Sequence, residues 1–585
     1  MLLQRLVEYA ARTPGAKPFH RERQFSWQLN LTADGRLESP ELQELTVPDA
    51  AGRLRGVAHT VPTMVRTVGV APNLAADDVQ YVLGWVDEET KPERVARCHT
   101  AFAELAVRWA ESAEGREDSV ARAVAAFYRD GLAGQVRRRA DCSAKSGVLI
   151  AVDGVPAYRA PSTVPFWSGE VGRRKGGGNS GLCLICGQVR PLLDTVPGKV
   201  PKRFVPGATN DTALVSVNER VFGYDLTEQL GHTPLCLVCG NAVSAGLVDL
   251  LGSPHATSYS GQNARMAWWT TAPDEFDAMA VLGTADPQQV TGLLQSVHQG
   301  RQGVGTEVEK FFALTVGGNV ARVMVRDWVE MPLAELHRNV ARWFDEHAIA
   351  PVWSEGRRHH GLGRLVLVTG RWLRDRQRYA DFGAKGADRP DGVQRDLLRA
   401  ALRGVPLPPS LLVHVVHRIR TDGRLDDARA SLIRLALTRS PLIAEKPMPD
   451  LDSSNTNPAY VSGRVFAVLE QIQYDVSKDD VSKGRLNTTY GDRYFAGAIA
   501  NPQAALVSGH RVANAWLRKL RRTKPGAAVN HEKALDALYG LFDAEPPSRT
   551  TLREQSLFLL GYHHQRAARF AGRTPAQPVT EETPV

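Results

Sequence analysis

Apolar residues at Leu2, Leu3, Leu6, Val7 and Ala10 recur at three- and four-residue intervals, which predicts an amphipathic helix at the start of the chain. The period changes over residues 25–31, where Phe25, Trp27, Leu29 and Leu31 alternate with polar neighbours. That pattern predicts a half-buried strand, with Ala33-Asp34-Gly35 as the turn behind it. Helical spacing returns over 92–112, with Val95, Cys98, Phe102, Leu105 and Trp109 on one face, and Cys98 on that stripe reads as a packing residue. A further helix is expected at about 118–133, a strand at 147–152, and a basic, Gly-rich loop at 171–181. Phe311–Val316 and Val320–Trp328 flank Gly317-Gly318-Asn319 and predict a β-hairpin, followed by a helix over 333–347 with Leu333, Leu336, Val340, Trp343 and Phe344 on one face. From about 395 to 575 helical periodicity dominates, with breaks at Pro441–Pro458 and Pro525–Ala528.

The expected fold class is therefore α+β: an N-terminal mixed α/β region over 1–395, then a C-terminal helical bundle over 396–575 and a disordered tail over 576–585. Within the first region, a cysteine-bearing insertion is expected at about 171–250 and the hairpin–helix unit at about 305–350. Composition adds limits. A hydrophobic fraction of 43% and a charged fraction of 23% exclude wholesale disorder. No apolar run approaches the ~20 residues of a membrane span, and MLLQRLVEYAAR has no apolar signal-peptide core, so a cytoplasmic protein without a membrane partner is expected. The net charge of +9 excludes a polycation but leaves room for a local basic groove.

Six cysteines are too few for a disulfide scaffold, but four of them form two pairs, Cys183-Leu-Ile-Cys186-Gly187 and Cys236-Leu-Val-Cys239-Gly240. Two thiolates two residues apart grip one ion, the following Gly permits the tight turn, and two such pairs complete a tetrahedral shell. The reading is a structural Zn²⁺ held by Cys183, Cys186, Cys236 and Cys239, with the 49 residues between the pairs as an insertion. A closed shell of four thiolates has no open position for catalysis. Reduced structural cysteines and a redox dithiol are the alternatives.

No GxxxxGK[ST], GxSxG or HExxH motif occurs. His359-His360 and His563-His564 read as solvated surface, and Asp77-Asp78 and Asp479-Asp480 as helix-start or surface carboxylates, so a non-enzyme is expected. Basic clusters are more informative. Arg173, Arg174 and Lys175 precede the first cysteine pair; Lys199, Lys202 and Arg203 lie between the pairs; Arg418, Arg420 and Arg424 surround a turn; Arg518, Lys519, Arg521, Arg522 and Lys524 end a helix. Each alone is an ordinary solvated face or helix end. Together, two of them beside a metal element, they point to contacts with phosphates.

Several blocks along the chain carry a resemblance. They are MLLQRLVEY, FSWQLNL with the following DGRL, Arg66-Thr67-Val-Gly-Val-Ala-Pro72-Asn73-Leu74, Tyr81-Val82-Leu83-Gly84, and Leu214-Val215-Ser216-Val217-Asn218. Asn319–Trp328, Arg418-Ile-Arg420-Thr-Asp422-Gly423, Asn457-Pro458-Ala459-Tyr460-Val-Ser-Gly463-Arg464-Val-Phe466-Ala467-Val468-Leu469-Glu470 and Asp492-Arg493-Tyr494-Phe495 complete the set. With these the chain resembles the large subunit of the type I-C CRISPR Cascade complex, the Csd-type large subunit family, over nearly its whole length. It departs from that pattern at the cysteines: Cys186 stands where the family carries Thr, and the second pair replaces a non-cysteine stretch, which makes this a zinc-knuckle-bearing, divergent member.

The resemblance implies a non-catalytic subunit that reads the protospacer-adjacent motif (PAM) in double-stranded DNA, starts the R-loop, braces the displaced strand and helps recruit a helicase-nuclease. The implied partners are crRNA, the Cascade backbone, crRNA-processing and small subunits, and target DNA, with guide pairing supplying the long sequence specificity. Arg66, Thr67 and Asn73 lie in the family-like loop expected to meet DNA; Asn pairs with adenine edges or minor-groove acceptors. An internal translation start, with Met448 as candidate, would release the helical C-terminus as a separate small subunit. A zinc-stabilised nuclease and a free-standing zinc-ribbon DNA-binding protein are the competing readings.

Overall fold

The computed structural model describes residues 2–13, 19–48, 52–64, 69–139, 141–175, 180–196, 198–217, 219–228, 230–259, 262–271, 277–298, 309–477 and 489–570. Arg66, Thr67, Asp479, Asp480 and the expected tail lie outside them, as does the side chain of Lys175. The fold is α+β with a helical C-terminal region, and the chain forms two compact units. The first comprises Met1–Ser258, Asn263–Trp268 and Ala313–Trp328; the second comprises Tyr259–Gln262, Trp269–Phe312 and Val329–Val585.

In the first unit the alternating segment splits at Ser26. His20–Phe25 pairs antiparallel with Val57–Pro62, from His20↔Pro62 to Phe25↔Val57. Trp27–Leu31 enters a five-stranded sheet, parallel to Gly147–Val152 in the register Trp27↔Val148 to Leu31↔Val152. Trp27, Leu29 and Leu31 are buried, as the alternation requires. Gly147–Val152 is buried throughout, the signature of a strand covered on both faces. The crossover contains the helices Pro92–Glu111 and Ser119–Arg129; Val95, Cys98, Phe102, Leu105 and Trp109 all point into the core. Asp118 caps the second helix through Val120 N–H (3.0 Å) and also accepts from Ser162 Oγ (2.7 Å), which in turn accepts from Trp109 Nε1 (2.9 Å). Beyond that helix the chain turns at Gly131 (φ 66°) into a short 3₁₀ turn, so the 118–133 helix is shorter than the sequence predicts.

The expected loop at 171–181 begins as helix. Thr163–Lys175 is helical because Glu170 fastens its last turn, pairing with Arg173 (2.8 Å) and Arg174 (2.6 Å) at the spacings that face each other on a helix. Lys310–Pro332 is extended for 23 residues, which straight would cover about 75 Å. Yet Leu333 N–H donates to Glu309 C=O at 2.8 Å, so the ribbon doubles back as a hairpin. Keeping that register brings the bend next to Val320, at φ 54°, rather than to Gly317-Gly318-Asn319. The glycines serve packing: a Cβ on Gly318 would stand 2.3 Å from the Ala208 nitrogen.

In the second unit, helix Leu333–His347 buries the five apolar residues named for it. Helices then run from Val393 to Phe570, with the gap between Arg439 and Pro458 where the prolines place it. Pro525 interrupts helix only at Lys524, since proline suits the first helical position and Pro525–Tyr539 starts there. Pro458–Ser477 and Leu552–Phe570 cross with their backbones in contact: a Cβ on Gly463 would lie 2.0 Å from the Phe558 carbonyl oxygen, and one on Gly561 2.1 Å from that of Tyr460. The histidine pairs are not surface. His360, His563 and His564 are buried, His563 Nε2 lies 2.9 Å from the Ala350 carbonyl oxygen, and His564 Nδ1 lies 3.0 Å from Tyr460 Oη. A run of polar letters carries no sign of such specific partners.

Candidate metal centre and nucleic-acid contacts

The first cysteine pair sits at the tip of a hairpin, Ser180–Leu182 against Val189–Pro191. Cys183 N–H donates to Gln188 C=O (3.0 Å), Gly187 N–H to Cys183 C=O (3.0 Å), and Gly187 takes the left-handed conformation (φ 66°) that a side chain would resist. The second pair opens a helix. Cys236 is the residue before Leu237–Gly252, and Cys239 lies in its first turn. Two backbone links tie hairpin to helix: Leu184 N–H to Pro234 C=O (3.0 Å) and Leu193 N–H to Leu235 C=O (2.9 Å).

This brings Cys183, Cys186, Cys236 and Cys239 together with all four sulfurs within 4.8 Å of one another. A tetrahedron with metal–sulfur distances of about 2.3 Å has edges of about 3.8 Å, so the cluster fits one thiophilic ion. Cys183, Cys236 and Cys239 are buried and Cys186 is exposed. Burial opposes ionisation of Cys183, but N–H groups of Cys186, Cys236 and Ile185 facing its sulfur bring it down to about 6. Burial pushes Cys236 and Cys239 up, and the neighbouring thiols add to this for Cys239. One thiol is thus primed as a thiolate while two others hold their protons, and an incoming divalent cation would displace them. The arrangement holds and cross-links; a four-sulfur shell leaves no position for a reacting water.

The basic residues fall into four environments. Arg174 is committed: it pairs with Glu170, donates to the Pro72 carbonyl (2.8 Å) and stacks on Trp167, while Arg173 pairs with Glu170 and keeps an exposed face. Lys199, Lys202 and Arg203 are exposed around a cavity, with Arg203 paired to Glu22 (2.9 Å). Arg518, Lys519, Arg521 and Arg522 are exposed on the last turns of Pro502–Thr523, where the helix dipole favours cations, and Arg521 pairs with Glu532. Arg418 is structural, buried against Asp422 and Asp388.

Asn73 is 2% exposed; its Oδ1 accepts from Met64 N–H (3.1 Å) and its own N–H donates to Asp77 (2.8 Å). Its side chain is therefore turned inward, tying Met64 to Asn73, instead of reaching outward. Asp77, wholly buried, and Asp78 both pair with Arg23, so the surface reading fails, while Asp78 does stand at the start of helix Val79–Val82. Sequence reasoning missed Asn241 and Arg21, which line the same cavity as Lys199; nothing in their local pattern marks them. No described helix is long and apolar enough to cross a membrane. The family described as CRISPR-associated protein (Cas_Csd1) matches residues 3–570. No curated protein matches the chain.

Proposed function

Because the chain belongs to the CRISPR-associated Csd1 family, the type of protein that serves Cascade as its large subunit, we propose that it reads the PAM in duplex DNA for a type I-C complex, without catalysing a reaction itself. The observation that carries this is the extent of the match, residues 3–570, which includes both the first unit and the helical C-terminus. On this reading the Arg66–Asn73 segment meets the motif, with Asn73 positioning it. Arg173, Lys175, Lys199, Lys202 and Arg203 would neutralise phosphates, and Arg518, Lys519, Arg521 and Arg522 would follow the displaced strand. crRNA and the backbone, crRNA-processing and small subunits would complete the assembly in the cytoplasm, and the open complex would recruit the helicase-nuclease. The four-cysteine cluster would hold Zn²⁺ as a structural ion.

The test is target binding by the complex reconstituted with crRNA, with and without this chain, on duplexes that carry or lack the motif. Motif-dependent binding that needs the chain supports the reading. Metal-dependent cleavage by the purified chain alone would replace it with the nuclease reading. Tight duplex binding without RNA would replace it with the free-standing DNA-binding one.

A further inference from the structure

The buried apolar clusters beside the cysteines are small: one is the cysteines themselves, the other Leu193, Leu230 and Leu235. Little core is available there to take in further apolar residues. Among the described residues, eight of the 25 exposed large apolar side chains fall between Leu182 and Val238, about a tenth of the chain. Four of them share one short stretch: Val221 (73% exposed), Phe222 (70%), Tyr224 (81%) and Leu226 (67%). Together they expose on the order of 500 Å² of mostly apolar surface, near the top of the range for the largest patch on a monomer.

Hydrogen bonds within the stretch give it a fixed shape. Phe222 N–H donates to Glu219 C=O (3.0 Å), Gly223 N–H to Arg220 C=O (3.0 Å) and Thr227 N–H to Tyr224 C=O (3.2 Å). Gly223 approaches the Thr227 carbonyl oxygen so closely that no side chain fits there. Asp225 and Leu226 both take left-handed backbone (φ 52° and 51°), which is unfavourable for residues with a side chain and persists where the surroundings impose it. At the base, Leu230 N–H donates to Asp194 C=O (3.3 Å), and Tyr224 packs edge-on against His232 (5.0 Å between centroids). Two aromatic and two aliphatic side chains are thus displayed on a shaped loop fastened to the cysteine element.

Charge narrows the occupant. Residues 219–228 contain Glu219, Asp225 and Glu228 against Arg220 alone, a net charge of −2. Arg220 pairs with Glu228 (3.2 Å), which leaves Glu219 and Asp225 exposed and without an ion-pair partner among the described residues. A phosphate backbone would meet this loop with like charge, and so would the same loop of a second copy across a two-fold axis. The apolar area also falls short of the ~800 Å² per side of a self-sufficient interface. Aromatic anchors with acidic flanks fit an apolar cleft edged by lysine or arginine.

We propose that the loop Val221–Leu226 docks into such a cleft on a protein subunit of the same complex, as one anchor of a larger contact. The proposal rests on the function proposed above only for where that subunit is found.

The test titrates the fluorescently labelled full chain into the crRNA-loaded assembly of backbone, crRNA-processing and small subunits prepared without it. Phe222→Ser with Tyr224→Ser should raise the dissociation constant about tenfold or more, as for lost interface anchors. Glu219→Gln with Asp225→Asn, which keeps the shape of the loop, should weaken binding less and flatten its dependence on salt. Leu442→Ser, the control for a lone surface apolar residue at 89% exposure, should bind as the wild type does. Wild-type affinity in the aromatic variant, with folding verified by circular dichroism, overturns the proposal, as does an equal loss in Leu442→Ser. An unaltered salt dependence in the neutralised variant overturns the basic cleft. Normal assembly with lost target-DNA binding would assign the loop to nucleic acid, and self-association of the wild type that the variant lacks would assign it to a second copy; either overturns the proposal. A wild-type chain that fails to enter the assembly overturns both this proposal and the function proposed above, whereas wild-type affinity in the loop variants overturns this one alone.

Discussion

Gly463→Ala should destabilise the helical unit although it adds a single methyl group. Its Cβ would lie 2.0 Å from the Phe558 oxygen and 2.8 Å from the Tyr562 nitrogen, against the 3.5–4.0 Å of ordinary contact. Both obstacles are backbone atoms of a helix, so no rotamer change relieves them, and the two helices must separate by more than about 1 Å. The aromatic cluster beside the crossing would part with them, including Phe466 with Phe558 (5.9 Å between centroids) and Phe466 with Tyr562 (5.8 Å). Overpacking costs about 1–3 kcal/mol, with the upper end fitting a backbone clash. Ala gains about 1 kcal/mol over Gly in helix propensity, leaving a net loss of about 2 kcal/mol. In a folding unit of about 300 residues that lowers the midpoint by about 3 °C. Gly497→Ala is the matched control: it is also in a helix, nothing lies within 4 Å of its Cβ, and its midpoint should stay or rise. Thermal unfolding followed by circular dichroism and calorimetry reads both. A Gly463→Ala midpoint within about a degree of the wild type, or an equal fall in Gly497→Ala, would refute the reasoning.

Freshly purified, reduced protein should carry about one metal ion per chain, and Cys183→Ser or Cys239→Ser should lose it; elemental analysis finding none in the wild type removes the four-cysteine reading. Burial, reinforced by Arg358, holds the His360 imidazole down to about 4. An unfolded histidine protonates near 6.5, so this contribution is complete above that pH and lost as the pH falls from 6.5 to 4, by about 3 kcal/mol. The thermal midpoint should drop between pH 7 and 4.5, less steeply in His360→Gln; equal slopes for the two proteins would count against it. Asn73→Ala leaves the Met64 N–H without its acceptor and should weaken motif-dependent binding of the assembled complex; unchanged affinity removes Asn73 from the reading.

Most regular elements were legible in the sequence because burial imposed a period. The helices Pro92–Glu111 and Leu333–His347 fall where their stripes predict them, as does the strand Gly147–Val152. The two cysteine pairs were legible because metal ligands need fixed spacing, and the structure brings all four together. What escaped depends on distant partners. The Arg173–Lys175 turn reads as loop until Glu170 and the Pro72 carbonyl are seen to hold it, and His563 reads as surface until the Ala350 carbonyl is placed beside it. Asn241 gives no local signal, since its partner is the Phe19 backbone N–H, 222 residues earlier in the chain.

The two knuckles also set an order of events during synthesis. Cys183 and Cys186 leave the ribosome with 49 residues still to come before Cys236. At 5–20 residues per second that delay is roughly 2–10 s, during which an ion meets only half a cage. The strip from Lys199 to Asp211, which forms one wall of the cavity, is made within that interval, and Asn241 emerges two residues after Cys239. An ion held by all four cysteines would therefore lock only after that strip is made, and would fasten the helix opening at Cys236 to the hairpin that carries Cys183 and Cys186. Metal capture would then be the last latch on this part of the chain, and a shortage of the ion during translation would leave hairpin and helix held by their backbone links alone.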